Sequence, residues 1–318
     1  MSFTPLMMKL VASLLDRLPV NPTVVELGNQ TFDPTISGTL TKKDDQMFPL
    51  VLDYLDKRGF PYDRETLVRL MRMSTEEQKP HTATYFRALG FSRYVAIDVN
   101  AKYGSLVMDL NVDIASAYRF TEKYDLVTNN GTGEHLFNQY AVFKNMHDLT
   151  TTGGIMLFVL PFYNWLNHGF FNFNPILFVD LAAANQYEIV RLSLACPVGQ
   201  EVQTNLTPNS PDDMRFSWQP NLPRLSLVEF QKRGSIKPWT LRNFVYWLVR
   251  TAVGANPRSS MSSLARVTEK LAERSPNVNV VAALRKTRDI VFTLPFQGMY
   301  SGNNIQSVEI RARYGVAS

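Results

Sequence analysis

A succession of short, β-branched apolar runs, each ending near a polar residue, is the feature that most constrains the fold of this chain. The first run covers residues 23–28, and others follow at 94–98, 105–109, 124–128 and 154–161. Segments with apolar residues at helical spacing lie between the first two and between the last two of these runs. Because strands that alternate with helices form parallel sheets covered on both faces, the pattern predicts an α/β fold.

The remaining elements follow from the same patterns. Helices are predicted where apolar positions recur at helical spacing, over residues 4–19, 134–149 and 175–184, with Thr132 as the N-cap of the second. Further strands are predicted at residues 187–195, 278–284 and 290–294. The expected architecture is Rossmann-like, with a mostly parallel seven-stranded sheet, helices on both faces, and helical insertions.

A single domain over residues 1–318 accounts for this order of elements. An N-terminal helical segment occupies residues 1–22, and a helical insertion at 31–90 separates the first two strands. A second insertion, at 198–277, precedes the last strands and is a candidate lid or acceptor-binding region. It contains a strongly apolar helix predicted at 238–253. This helix could be a lid, a subunit interface or a membrane-facing helix, and the sequence does not distinguish these roles.

Composition limits the classes of protein to which the chain can belong. Apolar residues make up 45% and charged residues 19%, which is typical of a globular protein and excludes intrinsic disorder. The net charge of +5 is not gathered into a basic run, so no nucleic-acid partner is predicted. The single cysteine, Cys196, excludes an internal disulfide and is expected to be a buried thiol.

Targeting signals are not recognised in the sequence. No signal peptide is identified, and no unbroken apolar stretch reaches the length of about 20 residues that a membrane-spanning helix needs. A cytoplasmic protein is therefore expected, and assembly into a homo-oligomer is compatible with the sequence.

Polar residues stand at the carboxyl ends of successive predicted strands. In chain order they are Glu26 with Gly28, Asp98, Asp109, and Asn129 with Asn130. Open α/β sheets bind ligands at this edge. A glycine lets the backbone approach a ligand closely, and a carboxylate can accept hydrogen bonds from both hydroxyls of a ribose. The set predicts a nucleoside site, whereas each position taken singly fits an ordinary turn residue.

The order of these motifs resembles that of the class I S-adenosylmethionine-dependent methyltransferases. The segments similar to that family's first four motifs are Val24-Val25-Glu26-Leu27-Gly28-Asn29-Gln30, Tyr94-Val95-Ala96-Ile97-Asp98, Met108-Asp109-Leu110 and Tyr124-Asp125-Leu126-Val127-Thr128-Asn129-Asn130-Gly131. The resemblance covers about residues 20–195 and the terminal strands around 278–295. It implies S-adenosylmethionine as the cofactor and S-adenosylhomocysteine as the product.

The resemblance also implies which residues bind that cofactor. They are Glu26, Gly28, Asn29, Asp98, Val99, Asp109, Leu110, Asn129 and Asn130. Glu26 and Gly28 would lie beside the methionine part, and Asp98 would hold the ribose. Asp109 with Leu110 would face the adenine, and the two asparagines would line the junction of cofactor and acceptor.

Candidate catalytic residues follow the fourth and fifth strands. His135, next to Glu134, is a candidate base or acceptor ligand, and His168 is the second candidate. The alternatives are that Glu134 merely suits a helix N-terminus and that His168 is a loop residue. His81 and His147 are expected at the surface, and no metal-ligating set is predicted.

The acceptor is predicted to be a small molecule methylated on oxygen or nitrogen, with a protein or peptide as the alternative. Aromatic residues cluster after the fifth strand, and most are expected in the core while a few wall an apolar acceptor pocket. They are Tyr163, Trp165, Phe170, Phe171 and Phe173.

Two other kinds of protein would bind a ligand at the same edge of the sheet. An NAD-dependent oxidoreductase would carry Gly-x-Gly-x-x-Gly after the first strand, which Gly28-Asn29-Gln30-Thr31-Phe32-Asp33 lacks. A non-catalytic scaffold that kept the nucleoside-binding sheet is the second alternative.

Overall fold

A computed structural model describes residues 2–32, 47–72, 82–166, 168–195, 201–203 and 277–295 of the chain. The helix predicted at 238–253, His81 and Cys196 lie outside the described residues.

The described residues form ten strands and seven α-helices. The strands are β1 (Ser2–Phe3), β2 (Thr23–Leu27), β3 (Thr31–Phe32), β4 (Arg93–Asp98), β5 (Leu106–Val107), β6 (Tyr124–Asn130), β7 (Thr150–Tyr163), β8 (Tyr187–Ala195), β9 (Glu201–Gln203) and β10 (Val278–Lys286). The helices are α1 (Pro5–Leu14), α2 (Met47–Arg58), α3 (Arg64–Arg72), α4 (Thr82–Ala88), α5 (Ile114–Tyr118), α6 (Gln139–Leu149) and α7 (Pro175–Asn185). Short 3-10 turns cover Leu15–Arg17, Lys102–Gly104 and Gly133–His135. None of the described helices is both long enough and apolar enough to cross a membrane.

Eight strands form the main sheet, in the order β5-β4-β2-β6-β7-β10-β8-β9. Neighbours from β5 to β7 are parallel, whereas β10 runs antiparallel to both β7 and β8, and β9 runs antiparallel to β8. The predicted α/β sheet is confirmed in this coarse form. It has eight described strands instead of the predicted seven, and it is mixed, because β9 and β10 run against the other six. A separate pair of strands joins β1 to β3.

The antiparallel strand β10 occupies a central place in the sheet. Eight of its nine residues are buried, and its sequence from Val278 to Leu284 is almost continuously apolar. Such a run suits a strand with neighbours on both sides and helices over both faces. The sequence identifies this strand but not its direction, because the direction depends on where the chain enters the sheet.

Helices cover the two faces of the sheet separately. Because successive strand residues point to opposite faces, Val24 packs against α1 to α4 whereas Val25 packs against α5 to α7. The first core includes Leu6, Leu55 and Phe86, which come from α1, α2 and α4. Three of these helices, α2, α3 and α4, lie in the segment predicted as a helical insertion after the first strand.

Two predicted elements differ from the structure. Residues 290–294 are not a strand, since the Thr293 N–H donates to the Asn185 side chain at 2.7 Å instead of to a neighbouring strand. The helix predicted at 134–149 begins only at Gln139. Asn138 is its N-cap and accepts from the Ala141 N–H at 3.2 Å, so the predicted cap, Thr132, is wrong. The apolar spacing continues through the 3-10 turn Gly133–His135 and the residues after it, which are not α-helical.

Asn145 joins the loop before α5 to helix α6. Its side chain is fully buried, accepts from the Ile114 N–H at 3.1 Å and donates to the Val112 carbonyl at 2.8 Å. These two bonds satisfy backbone groups that would otherwise be buried without partners. Asn145 therefore fixes the loop that follows β5 on the cofactor-binding edge expected from the sequence.

We expect Asn145→Ala to lower the free energy of unfolding by roughly 2–3 kcal/mol, because it leaves a buried donor and a buried acceptor unpaired. Urea denaturation followed by circular dichroism measures this loss. Asn172→Ala, which removes an exposed asparagine, is the matched control and should change stability by less than about 0.5 kcal/mol. Equal stability of the two variants would contradict the role given to Asn145.

Candidate functional site

The carboxyl ends of β2, β4 and β6 meet at one edge of the sheet. Leu27, the last residue of β2, is in register with Ile97 on β4 and with Asn129 on β6. The chain goes from β2 to β4 and β5 on one side and returns to β6 and β7 on the other, so the order of strands reverses between β2 and β6. Open α/β sheets bind ligands at such a reversal.

Gly28 ends β2 in a conformation that favours glycine. Its φ is +80°, and its N–H donates to the Ile97 carbonyl at 2.8 Å. A Cβ at this position would lie 2.0 Å from Oγ1 of Thr132, which follows β6. Only glycine therefore allows the loop after β6 to lie against the end of β2.

The Gln30 side chain ties the turn after β2 to the end of β6. Gln30 is buried, and its Nε2 donates to the carbonyl of Asn130 at 2.9 Å. The same nitrogen lies 3.4 Å from Oγ1 of Thr132. The glutamine thus has a structural role in joining the two strand ends.

Asp98 is held between two loops at the same edge. Its Oδ2 accepts from the Asn29 N–H at 2.7 Å, and its Oδ1 accepts from the Asn100 N–H at 3.0 Å. The residue is half-buried, and Val99 beside it is 66% exposed. The carboxylate is therefore fixed in position while part of it faces solvent.

Asp109 and Leu110 follow β5. Asp109 Oδ1 accepts from the backbone N–H of Asn111 at 2.8 Å and from its side-chain amide at 3.0 Å. Leu110 is buried in the core between the sheet and helices α5 to α7. Asn111 in turn accepts from the N–H groups of Phe137 at 2.9 Å and Asn138 at 3.2 Å. The loop after β5 is thereby attached to the loop before α6.

Asn129 and Asn130 are the last two residues of β6, not part of a loop after it. The strand extends further than predicted because both residues pair with β7, where Asn130 is in register with Val159. The Asn129 side chain accepts from the Gly133 N–H at 2.9 Å, and its Nδ2 is buried with no hydrogen bond to any described residue. That nitrogen is a donor available at the strand end.

Glu26 is fully buried against α4 and β4. Its Oε2 accepts from the Thr82 hydroxyl at 2.5 Å and the Tyr94 hydroxyl at 2.6 Å, while Oε1 has no hydrogen bond among the described residues. Burial raises the pKa of the Glu26 carboxyl to about 7, and the two hydroxyls oppose that rise.

Glu134, His135 and His168 form a compact group, which we call the Glu–His cluster. The Glu134 Oε1 lies 3.8 Å from Nε2 of His135 and 3.5 Å from Nε2 of His168. The imidazole centroids are 5.0 Å apart. Glu134 is fully buried, whereas the side chains of His135 and His168 are 45% and 29% exposed. Burial lowers the pKa of His135, and the neighbouring His168 acts in the same direction, although Glu134 opposes both.

The backbone explains how residues so distant in sequence meet. The Glu134 carbonyl accepts from the Phe170 N–H at 2.7 Å, which draws the loop after β7 onto the 3-10 turn Gly133–His135. Gly169 allows this approach, since a Cβ there would lie 2.8 Å from Cγ of Glu134. The sequence identifies the two histidines separately, but only this contact places them together.

His147 is buried, so its predicted surface position is wrong. Its Nδ1 lies 2.5 Å from the Tyr187 hydroxyl and its Nε2 lies 2.7 Å from the Ile290 carbonyl. The residue falls on the side of α6 that packs against β8 and the segment after β10. It has a structural role and takes no part in the candidate site.

An apolar cavity of about 520 Å³ lies between α6, α7 and the segments around 171–174 and 292–295. Phe143, Phe171 and Phe173 line it, so the expectation that some aromatics would wall a cavity fits these positions. Gln139 also lines the cavity and donates to the Gly133 carbonyl at 2.8 Å. The cavity wall is thus bonded to the turn that carries Glu134.

Two members of the aromatic cluster are not in the core. Phe170 is 70% exposed and Tyr163 is 43% exposed, although core packing was the expectation for most of the cluster. Phe173 is buried, as that expectation requires, and the Trp165 ring packs at a tilt against the His168 ring, with centroids 4.7 Å apart. Tyr163 is the last residue of β7, and Phe170 lies in the loop that follows the strand.

No protein-family model and no curated protein sequence matches this chain. Among solved structures, it is similar to two S-adenosylmethionine-dependent methyltransferases in complex with S-adenosyl-L-homocysteine. The one from Geobacter sulfurreducens is 14% identical, with 88% of this chain and 90% of that chain covered and a TM-score of 0.34. The one from Thiobacillus denitrificans is also 14% identical, with the same coverage and a TM-score of 0.32.

YjhP from E. coli is 15% identical to this chain, with 88% of this chain and 91% of that chain covered and a TM-score of 0.33.

We expect the Glu26→Gln variant to lose less stability than the unsubstituted protein as the pH rises from 4.5 to 8. The pKa of Glu26 is raised from 4.5 to about 7, so its contribution is complete below pH 4.5 and is lost as the pH rises through 7. Glutamine cannot ionise, and the difference should reach roughly 3 kcal/mol.

Urea denaturation at a series of pH values measures this difference. Glu65→Gln, which removes an exposed carboxylate, is the control and should follow the unsubstituted protein. If Glu26→Gln also follows it, Glu26 does not titrate in this range.

Proposed function

We propose that this protein is a class I S-adenosylmethionine-dependent methyltransferase that transfers a methyl group to an oxygen or nitrogen of a small-molecule acceptor. The observation that carries the proposal is the Asp98 carboxylate, which two backbone N–H groups fix beside Gly28 at the reversal of strand order.

A nucleoside fits the chemistry of this carboxylate. An ionised carboxylate offers about four acceptor positions, and the N–H groups of Asn29 and Asn100 occupy two of them. Because Asp98 is half-buried, the remaining positions can accept hydrogen bonds from the two adjacent hydroxyls of a ribose. A dinucleotide is less well suited, since the turn at Gly28 lacks the further glycines that let a backbone approach a pyrophosphate.

The other cofactor contacts are assigned by their places along the edge. Gly28, Asn29 and the buried Glu26 would support the methionine part, with Val99 beside the ribose. Asp109 and the backbone of Leu110 would meet the adenine, in the loop that Asn111 attaches to the turn before α6. Asn129 and Asn130 would lie between cofactor and acceptor, where the unpaired Nδ2 of Asn129 supplies a donor.

The bound cofactor would supply a methyl group that is already activated on a positively charged sulfur. The protein then has to align the acceptor with that methyl group and exclude water. An oxygen or nitrogen acceptor also has to lose a proton, and the Glu–His cluster follows β6 at the same end of the sheet. The lowered pKa of His135 favours the neutral imidazole, which is the form that can accept a proton.

The acceptor class is inferred from the apolar cavity. Its wall is mainly apolar and includes several aromatic rings, and Gln139 connects it to the turn that carries Glu134. Cavities of this kind hold small molecules with an apolar part and a few polar groups that set their orientation. A small-molecule acceptor therefore fits better than a protein or peptide.

Isothermal titration calorimetry with S-adenosylhomocysteine measures the dissociation constant and so tests the cofactor assignment. We expect Asp98→Asn to weaken binding by about 10- to 100-fold, because hydrogen bonds to a charged partner are stronger than those to a neutral amide. Asp53→Asn is the matched control, because Asp53 is exposed on α2 and forms an ion pair with Lys57 on the same helix. Circular dichroism of each variant confirms that it is folded.

The same titration separates the alternatives. Failure of the folded, unsubstituted protein to bind S-adenosylhomocysteine would overturn the proposal, and binding of NAD in its place would favour an oxidoreductase. Binding without methyl transfer to any member of a panel of hydroxylated and amino acceptors would favour a non-catalytic scaffold.

A further inference from the structure

Glu134 is an unusual acid in the interior. Its side chain has 0% exposure, and neither carboxylate oxygen has a hydrogen bond to any described residue. A buried carboxylate without such bonds is strongly destabilised unless a positive charge lies close to it. A cation bound at this place would supply that charge.

Two imidazole nitrogens face the same carboxylate oxygen. The Nε2 atoms of His135 and His168 lie 3.8 and 3.5 Å from Oε1 of Glu134, and the three ligand atoms are all within 4.8 Å of one another. Nε2 of His168 is itself buried and has no hydrogen bond among the described residues. The lone pairs of a carboxylate and two imidazoles thus converge on one small volume.

The distances suit a shared ion better than direct hydrogen bonds. Both exceed the range of about 2.7–3.2 Å in which N–H groups donate to oxygen. Ligand atoms at about 2.0–2.1 Å from a tetrahedral Zn²⁺ lie about 3.3 Å apart. Small side-chain rotations would bring the three atoms of the cluster from their present separations to that spacing.

We propose that Glu134, His135 and His168 bind a divalent transition-metal ion, with Zn²⁺ as the best-matched ion. Two imidazoles and one carboxylate form one of the ligand sets of open, catalytic zinc sites, in which the fourth position is left for water or substrate. Mg²⁺ and Ca²⁺ prefer oxygen ligands and match this set less well. The ion would place a positive charge beside the buried Glu134 carboxylate.

The surrounding structure holds the ligands in place. The Asn129 side chain fixes the N-terminal end of the Gly133–His135 turn through the Gly133 N–H, and the Glu134 carbonyl binds the N–H of Phe170. The Trp165 ring packs near the His168 ring. Because these contacts join the ends of β6 and β7, the site is built on the sheet and is largely preorganised.

An ion at this place would have a direct use if the proposed function is correct. Its open position would bind the acceptor oxygen or nitrogen. The charge of the ion, in place of a free His135 imidazole, would ease loss of the acceptor proton. This consequence rests on methyl transfer, whereas the metal site itself rests only on the Glu–His cluster.

Titration of metal-free, tag-free protein with Zn²⁺ tests the site. We expect one Zn²⁺ per chain, measured by calorimetry and by metal analysis after dialysis, with a rise in the midpoint of thermal unfolding. Glu134→Gln and His168→Gln should each weaken binding by roughly 100-fold or more, because each removes a ligand. Glutamine is close in size to glutamate and removes the buried charge, so the first variant should remain folded.

Glu65→Gln is the control for a carboxylate outside the cluster, and it should bind Zn²⁺ as the unsubstituted protein does. The proposal is overturned if the folded protein takes up no stoichiometric Zn²⁺. It is also overturned if Glu134→Gln and His168→Gln bind as tightly as the control.

Titration of the same samples with S-adenosylhomocysteine keeps the two proposals separate. Zn²⁺ binding without S-adenosylhomocysteine binding would support the metal site and overturn the methyltransferase. The reverse pattern would support the methyltransferase and overturn the metal site.

Discussion

The parallel pairing of β2 with β4 and β6 is the constraint on which the candidate site depends. It places Leu27 in register with Ile97 and Asn129, so three strands end at one level. Polar residues at these ends are then neighbours, although they are far apart in the chain. A shift of register by one residue would turn every side chain of β2 to the opposite face and separate them.

Side-chain hydrogen bonds fix the positions of the loops at this shared edge. Gln30 joins the turn after β2 to Asn130, and Asp98 holds the N–H of Asn29. Asn111 attaches the loop after β5 to the residues before α6. Because each bond joins two different strand ends, the loops are positioned by one another as well as by the sheet.

Two buried acids show how differently the interior can treat the same functional group. Glu26 is surrounded by hydroxyl donors, and burial raises its pKa to about 7, so a proton can remove its charge. Glu134 has no such donors among the described residues and faces two imidazoles instead. The neighbours, not the carboxyl group itself, decide which groups a buried acid can interact with.

The sequence by itself determined most of the strands and the polar residues that end them, because β-branched runs and strand-end acids are local features. It determined neither the antiparallel direction of β10 nor the true start of α6 at Gln139, since apolar spacing carries no direction and continues through turns. The sequence also predicted His147 at the surface, whereas the residue is buried. The Glu–His cluster was decided by tertiary structure alone. Glu134 and His168 meet because the loops after β6 and β7 are packed together through Gly169, and a contact between distant segments leaves no periodic signal in the chain.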